Sequence, residues 1–155
     1  MPPAKDSYLL LALFLVIVFA VASTGWFFQP GAWYLTLWKP AWTPPNWLFP
    51  PVWTVLYVFI AIAGWMIFSR SSPTLAKYLW VAQLILNGLW SWLFFGLHHT
   101  FLGLVDIAAL VACIAALVIV TYPRQRMVSW LLLPYLVWVA YASTLNAAIA
   151  FGNPS

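Results

Sequence analysis

From Tyr8 the chain is apolar almost without interruption to Phe27, and it then breaks at Gln29, Pro30 and Gly31, a sequence poorly suited to continuing a helix. The same pattern recurs four times. Apolar runs cover about 47–69, 77–97, 102–122 and 128–151, separated by Arg70-Ser71-Ser72-Pro73, by His98-His99-Thr100 and by Pro123-Arg124-Gln125-Arg126. Each run reaches the about 20 helical residues needed to cross ~30 Å of hydrocarbon. The pattern therefore predicts an all-α integral membrane protein, a single domain over 1–155 built as a bundle of five transmembrane helices. Only the first connection, about 29–46, is too long for a simple turn, and its prolines stiffen it, so it is expected to act as a lid.

Within the runs, polar and aromatic residues fall at helical spacing. Trp53, Tyr57 and Ala61 form one stripe, Gln83, Asn87, Trp90, Ser91 and Phe94 a second, and Tyr135, Trp138, Ala142 and Asn146 a third. Amides facing lipid would be costly, so these stripes are expected to point inward and line one cavity. Gln83, Asn87 and Asn146 also suit interhelical hydrogen bonds of ~0.6 kcal/mol each, and both readings stand. Small residues Ala108, Ala109, Ala112, Ala115 and Ala116, with Ala140, Ala142, Ser143, Ala147 and Ala148, are expected to pack against other helices.

Composition agrees with the membrane reading: of 155 residues, 66% are hydrophobic and 5% charged, against roughly 25% charged in a soluble domain. Lys5, Arg70, Lys77, Arg124 and Arg126 fall on one side of the predicted membrane and Lys39 alone on the other. The positive-inside rule then puts the N-terminus in the cytoplasm and the first loop and C-terminus outside. The net charge of +4 is thus an orientation signal, and no basic patch for nucleic acid exists. An A-x-A ending at Ala20-Val21-Ala22 would also suit signal cleavage, but the apolar run continues to Trp26 and Phe28, as a retained span does.

The chemistry-bearing residues are few. Asp106 is the acidic residue inside a span, either functional or a protonated or hydrogen-bonded structural group. His98 and His99 are adjacent, about 100° apart on a helix, so they form no chelating pair, and no Cys/His/Asp/Glu cluster suggests a metal site. Cys113 reads as a packing residue. There is no nucleophile with a base and there are no paired carboxylates for hydrolysis. What stands out is five tryptophans, Trp33, Trp38, Trp42, Trp47 and Trp53, in and beside the first loop. Their flat faces suit planar ligands, while Trp26, Trp33, Trp80 and Trp130 near span ends also suit an interfacial belt. Lys39 is the formal charge in that segment.

Four blocks carry a resemblance: WYLTLWKPAWTPPNWLFPPVWTVLY (33–57), QLILNGLWSWLFFG (83–96), LVDIAAL (104–110) and LPYLVWVAYASTLN (133–146). In that order, over about 24–149, they resemble the TspO/MBR family of tryptophan-rich sensory proteins and translocator proteins. The resemblance implies a five-helix bundle, commonly a homodimer. It also implies a pocket for tetrapyrroles such as protoporphyrin IX or haem, bound as ligand with no cofactor required, whose carboxylates Lys39 would meet. By matching block, the pocket wall would comprise Tyr34, Trp42, Pro44, Pro45, Trp47, Trp53 and Tyr57; Asn87, Trp90, Ser91 and Phe94; Asp106; and Tyr135, Trp138, Ala142 and Asn146. In members that degrade protoporphyrin in light, the implicated tryptophans match Trp53 and Trp138. The animal members' sterol motif is missing here, since Ala147 stands at its tyrosine and no basic residue follows Arg126, so cholesterol gains no support as a ligand. Tetrapyrrole receptor or transporter, light-dependent porphyrin-degrading activity, and a structural or small-molecule transporter bundle are the three functions that follow.

Overall fold

The computed structural model describes residues 5–153 and is all-helical there. Six α-helices form: α1 Lys5–Phe27, the short α2 Ala32–Thr36, α3 Phe49–Ser69, α4 Thr74–Ser91, α5 Thr100–Thr121 and α6 Arg126–Gly152. All but α2 are long and apolar enough to span a membrane, and the protein is an integral, multi-pass membrane protein. A 3₁₀ turn, Asn46–Leu48, leads into α3, whose first turn holds Pro50 and Pro51 where a missing N–H costs nothing. A π turn, Trp92–Gly96, ends α4, and His98 stops it in the left-handed region at φ 58°.

The spanning helices form a ring in the order α1, α3, α6, α5, α4 and back to α1. α5 shows why: Gly103, Ile107, Leu110, Ile114, Leu117 and Thr121 recur every three or four residues and are all buried against the neighbours. Ala108, Ala109 and Ala112 fall off that register and are exposed, so within one chain they do not make the helix contact expected of them.

Trp80 corrects the belt reading. It is 3% exposed, because Gly64 on α3 leaves room for its ring against Phe14 and Phe68, and its Nε1 donates to the Ile60 carbonyl at 3.0 Å. Trp33 is likewise more than a belt residue: it stacks on His98 at 4.3 Å and meets Phe94 edge-on. At the opposite end, Gln125 donates to Ser72 (2.6 Å) and the Thr121 and Ser129 hydroxyls pair at 2.8 Å, tying the turns together.

Candidate functional site

Beneath the first loop the ring encloses a cavity of about 890 Å³, within the range of about 300–1,000 Å³ usual for small-molecule sites. Every spanning helix contributes. α3 supplies Trp53 and Tyr57, stacked at 5.3 Å, and α4 supplies Asn87, Trp90 and Ser91. The π turn adds Phe94 and Phe95, neighbours in sequence that both reach the cavity because the wider turn rotates them onto one side. Trp90 stacks on Phe94 at 5.1 Å. α5 adds Ile107 and Leu110, and α6 adds Trp138, Ala142, Leu145 and Asn146. α2 closes the top through buried Tyr34, set edge-on to Phe95 at 5.5 Å. Burial pushes the Tyr34 phenol above its usual value, so it stays a neutral donor.

Ten of the residues singled out in the sequence therefore meet in one place: Tyr34, Trp53, Tyr57, Asn87, Trp90, Ser91, Phe94, Trp138, Ala142 and Asn146. Tyr135 stands one layer behind, its ring edge-on to Trp53 at 6.3 Å. Its hydroxyl joins a buried chain in which Tyr57 donates to Asn87 (3.0 Å), the Asn87 amide donates to Tyr135 (3.0 Å), Tyr135 donates to Gln83 (2.9 Å), and Gln83 donates to the Trp80 carbonyl (2.9 Å). The chain links α3, α4 and α6 and fixes the Tyr57 ring that the cavity presents. Asn146 combines both roles, lining the cavity while accepting from Trp90 Nε1 (3.0 Å) and donating to the Thr100 carbonyl (2.9 Å).

Six candidates lie elsewhere. Lys39 Nζ donates to the Leu37 carbonyl at 3.0 Å and sits 4.6 Å over the ring of Tyr34 without itself joining the lining. Trp42 is exposed and its carbonyl accepts from Tyr141 Oη. Pro44 and Pro45 carry the chain toward α3 without reaching the cavity. Trp47, 71% exposed, lines instead a second, apolar groove on the outside of α3 and α6, floored by Pro51, Val55, Pro134 and Val137. Pro134, lacking an N–H for the preceding turn, lies in that groove. Asp106 is 5% exposed, off the cavity, and both its carboxylate oxygens lack a partner among the described residues. Trp138 borders both spaces, and among the described residues its buried Nε1 is also without a partner.

Sequence reading missed the α1 wall, Phe19, Ala22, Ser23, Gly25 and Trp26. The available signal was the Ser23-Thr24-Gly25 run, small and polar at the end of an otherwise apolar span. Among the described lining residues none carries a formal charge, and the wall offers aromatic faces and uncharged polar groups.

Fold and cavity together define a class: a multi-pass helical membrane protein with a ligand-sized aromatic chamber beneath an interhelical loop. The TspO/MBR family pattern matches residues 13–151. The chain is 40% identical over 156 residues to the tryptophan-rich protein TspO of Chlorobaculum tepidum, covering 94% of this chain and 97% of that one. Against the tryptophan-rich protein TspO of Archaeoglobus fulgidus it is 41% identical over 144 residues (90% and 94%), and against the human translocator protein 33% over 122 residues (76% and 72%). The chain belongs to the TspO/MBR family.

Proposed function

We propose that this protein binds a tetrapyrrole, protoporphyrin IX or haem, in the chamber beneath the first loop, as a receptor or carrier for tetrapyrrole traffic or stress sensing. The observation that carries this reading is the chamber itself: about 890 Å³ faced by Trp53, Tyr57, Trp90, Phe94 and Trp138 with uncharged polar groups between them. Stacking on such rings contributes about 0.5–1.5 kcal/mol per aromatic pair beyond area burial. The charged edge of the ligand belongs at the loop end, where Gln29 and Asn46 offer amides and Lys39 lies over the Tyr34 ring. By charge bias that end faces outside, with the N-terminus cytoplasmic. Self-association, which the resemblance implies, would place the exposed Ala108, Ala109 and Ala112 face of α5 against a second copy.

Titrating the purified protein with protoporphyrin IX tests the proposal: saturable quenching of tryptophan fluorescence at about one ligand per chain is expected, given how many tryptophans surround one cavity. Quenching that rises linearly without saturation removes the proposal.

A second reading is favoured by one observation, that Trp53 and Trp138 line the same chamber. In it, light-excited bound porphyrin is oxidised by dioxygen with these indoles beside it. On illumination in air, Trp53→Phe and Trp138→Phe are then expected to keep binding while bleaching of the porphyrin band slows. Equal bleaching in all three proteins leaves binding as the function.

A further inference from the structure

The residues lining the chamber divide by helix. Those from α4, α5, α6 and the π turn are all buried or half-buried. Every exposed lining residue belongs to α1, the first loop or the start of α3, among them Phe19, Gly25, Trp26, Asn46, Pro50 and Thr54. The chamber therefore has one open flank, between α1 and α3 on the loop side.

That flank is one end of a seam whose other end is shut. Toward the opposite membrane face, Phe14 and Val18 of α1 are buried, and Phe14 lies with Trp80 in the space left by Gly64. On the loop side the contact is replaced by the chamber. The hydroxyls there are turned to their own helices: Ser23 donates to the Ala20 carbonyl (2.6 Å), Thr24 to Val21 (2.8 Å) and Thr54 to Pro50 (2.8 Å). Among the described residues no side-chain hydrogen bond joins α1 to α3, and α1 is the least buried of the five spans.

The lid, by contrast, is fastened on the far flank. The Trp38 N–H donates to Asn153 Oδ1 (2.8 Å), the Asn153 amide donates to the Trp38 carbonyl (3.0 Å), Tyr141 donates to the Trp42 carbonyl, and the Trp38 ring covers Gly152. Lifting the lid breaks these contacts, whereas parting α1 from α3 at the loop end breaks none of that kind.

Resting on the proposed tetrapyrrole site, we propose that the cleft between the loop-side halves of α1 and α3 is its portal, opening sideways into the bilayer leaflet beside the first loop. It admits a flat amphiphile already dissolved in lipid. The ring passes between apolar flanks with internally satisfied hydroxyls, so lipid contact costs little. Its carboxylates stay at the interfacial level of Gln29 and Asn46 while the ring enters.

Two glycines separate this route from entry through the lid. A Cβ at Gly25, on the portal, meets nothing within 4 Å, and neither does one at Gly31, in the loop and outside the lining. In proteoliposomes, with protoporphyrin IX as probe and stopped-flow tryptophan quenching as readout, Gly25→Phe is expected to slow both association and dissociation, association by about tenfold. Gly31→Phe should leave both rates at the wild-type value. Unchanged rates in Gly25→Phe, or slowing by Gly31→Phe instead, overturn the portal. Gly25→Cys in a Cys113→Ser background gives a control independent of folding, since a bulky thiol-reactive methanethiosulfonate should slow exchange and a reductant restore it. Failure of the modified protein to slow also overturns the proposal. A wild-type protein that shows no saturable quenching removes the binding reading itself, a result distinct from saturable binding with unaltered rates.

Discussion

Gly64→Val is expected to lower the thermal midpoint by about 10 °C, equivalent to roughly 4 kcal/mol for a chain of this size. A Cβ at this position would lie 2.3 and 2.4 Å from two carbons of the Trp80 ring and 2.8 Å from Phe14 Cδ1. Trp80 cannot yield cheaply. It is buried, its Nε1 is bonded to the Ile60 carbonyl, and Phe14 and Phe68 stand against its ring at 5.0 and 5.8 Å. Overpacking of this kind costs about 1–3 kcal/mol, and displacing the indole adds the ~1 kcal/mol of its hydrogen bond. Valine, with two further methyls, should approach the upper sum, and Gly64→Ala should fall near half of it. A midpoint within about 2 °C of wild type for Gly64→Val would show that the α1–α3–α4 seam is not packed as described.

Asn87→Leu should cost about 2 kcal/mol and loosen the chamber together with the fold. The side chain is nearly isosteric, so the loss is polar. Tyr57 loses its acceptor and Tyr135, which is fully buried, its donor. Interhelical bonds in membranes average about 0.6 and reach about 1.7 kcal/mol, while a buried group left unpaired costs about 1–3 kcal/mol. Because Tyr57 stacks on Trp53 in the chamber wall, the variant should also weaken protoporphyrin binding. Gln83 still accepts from Tyr135, so the variant should fold. Denaturation in detergent against wild type measures the first effect and fluorescence titration the second. Unchanged stability would mean that the Tyr57–Asn87–Tyr135 chain is not formed.

What the sequence disclosed follows from which forces are local. Spanning helices announce themselves because each must be apolar along its whole length, and the inward stripes because an amide facing lipid is penalised wherever it stands. Trp53, Asn87, Trp90 and Trp138 were legible on that basis. Trp80 was not, since its burial depends on a glycine 16 positions earlier on another helix, a complementarity invisible to spacing. Lys39 was read as a ligand's counter-charge from its solitude on that side. In the structure it also holds the adjacent Leu37 carbonyl and lies over the Tyr34 face, partners that spacing does not reveal. Trp42 and Trp47 share a proline-rich loop with Tyr34, yet only Tyr34 sits on the short helix that turns it inward. The π turn that brings Phe94 and Phe95 to the same wall has no simple periodic signature, and the α1 wall lacked the aromatic density that marked the others.

The central claim is that a tetrapyrrole occupies the inner chamber and not the outer groove of α3 and α6, and one paired titration decides it. Ala142 borders only the chamber and Val137 only the groove, while Trp138 separates them. Protoporphyrin IX titrated into Ala142→Phe should bind at least about tenfold more weakly than to wild type, the chamber being partly filled, while Val137→Phe should bind as wild type does. Wild-type affinity in Ala142→Phe together with loss in Val137→Phe would contradict the account and move the site to the lipid-facing groove.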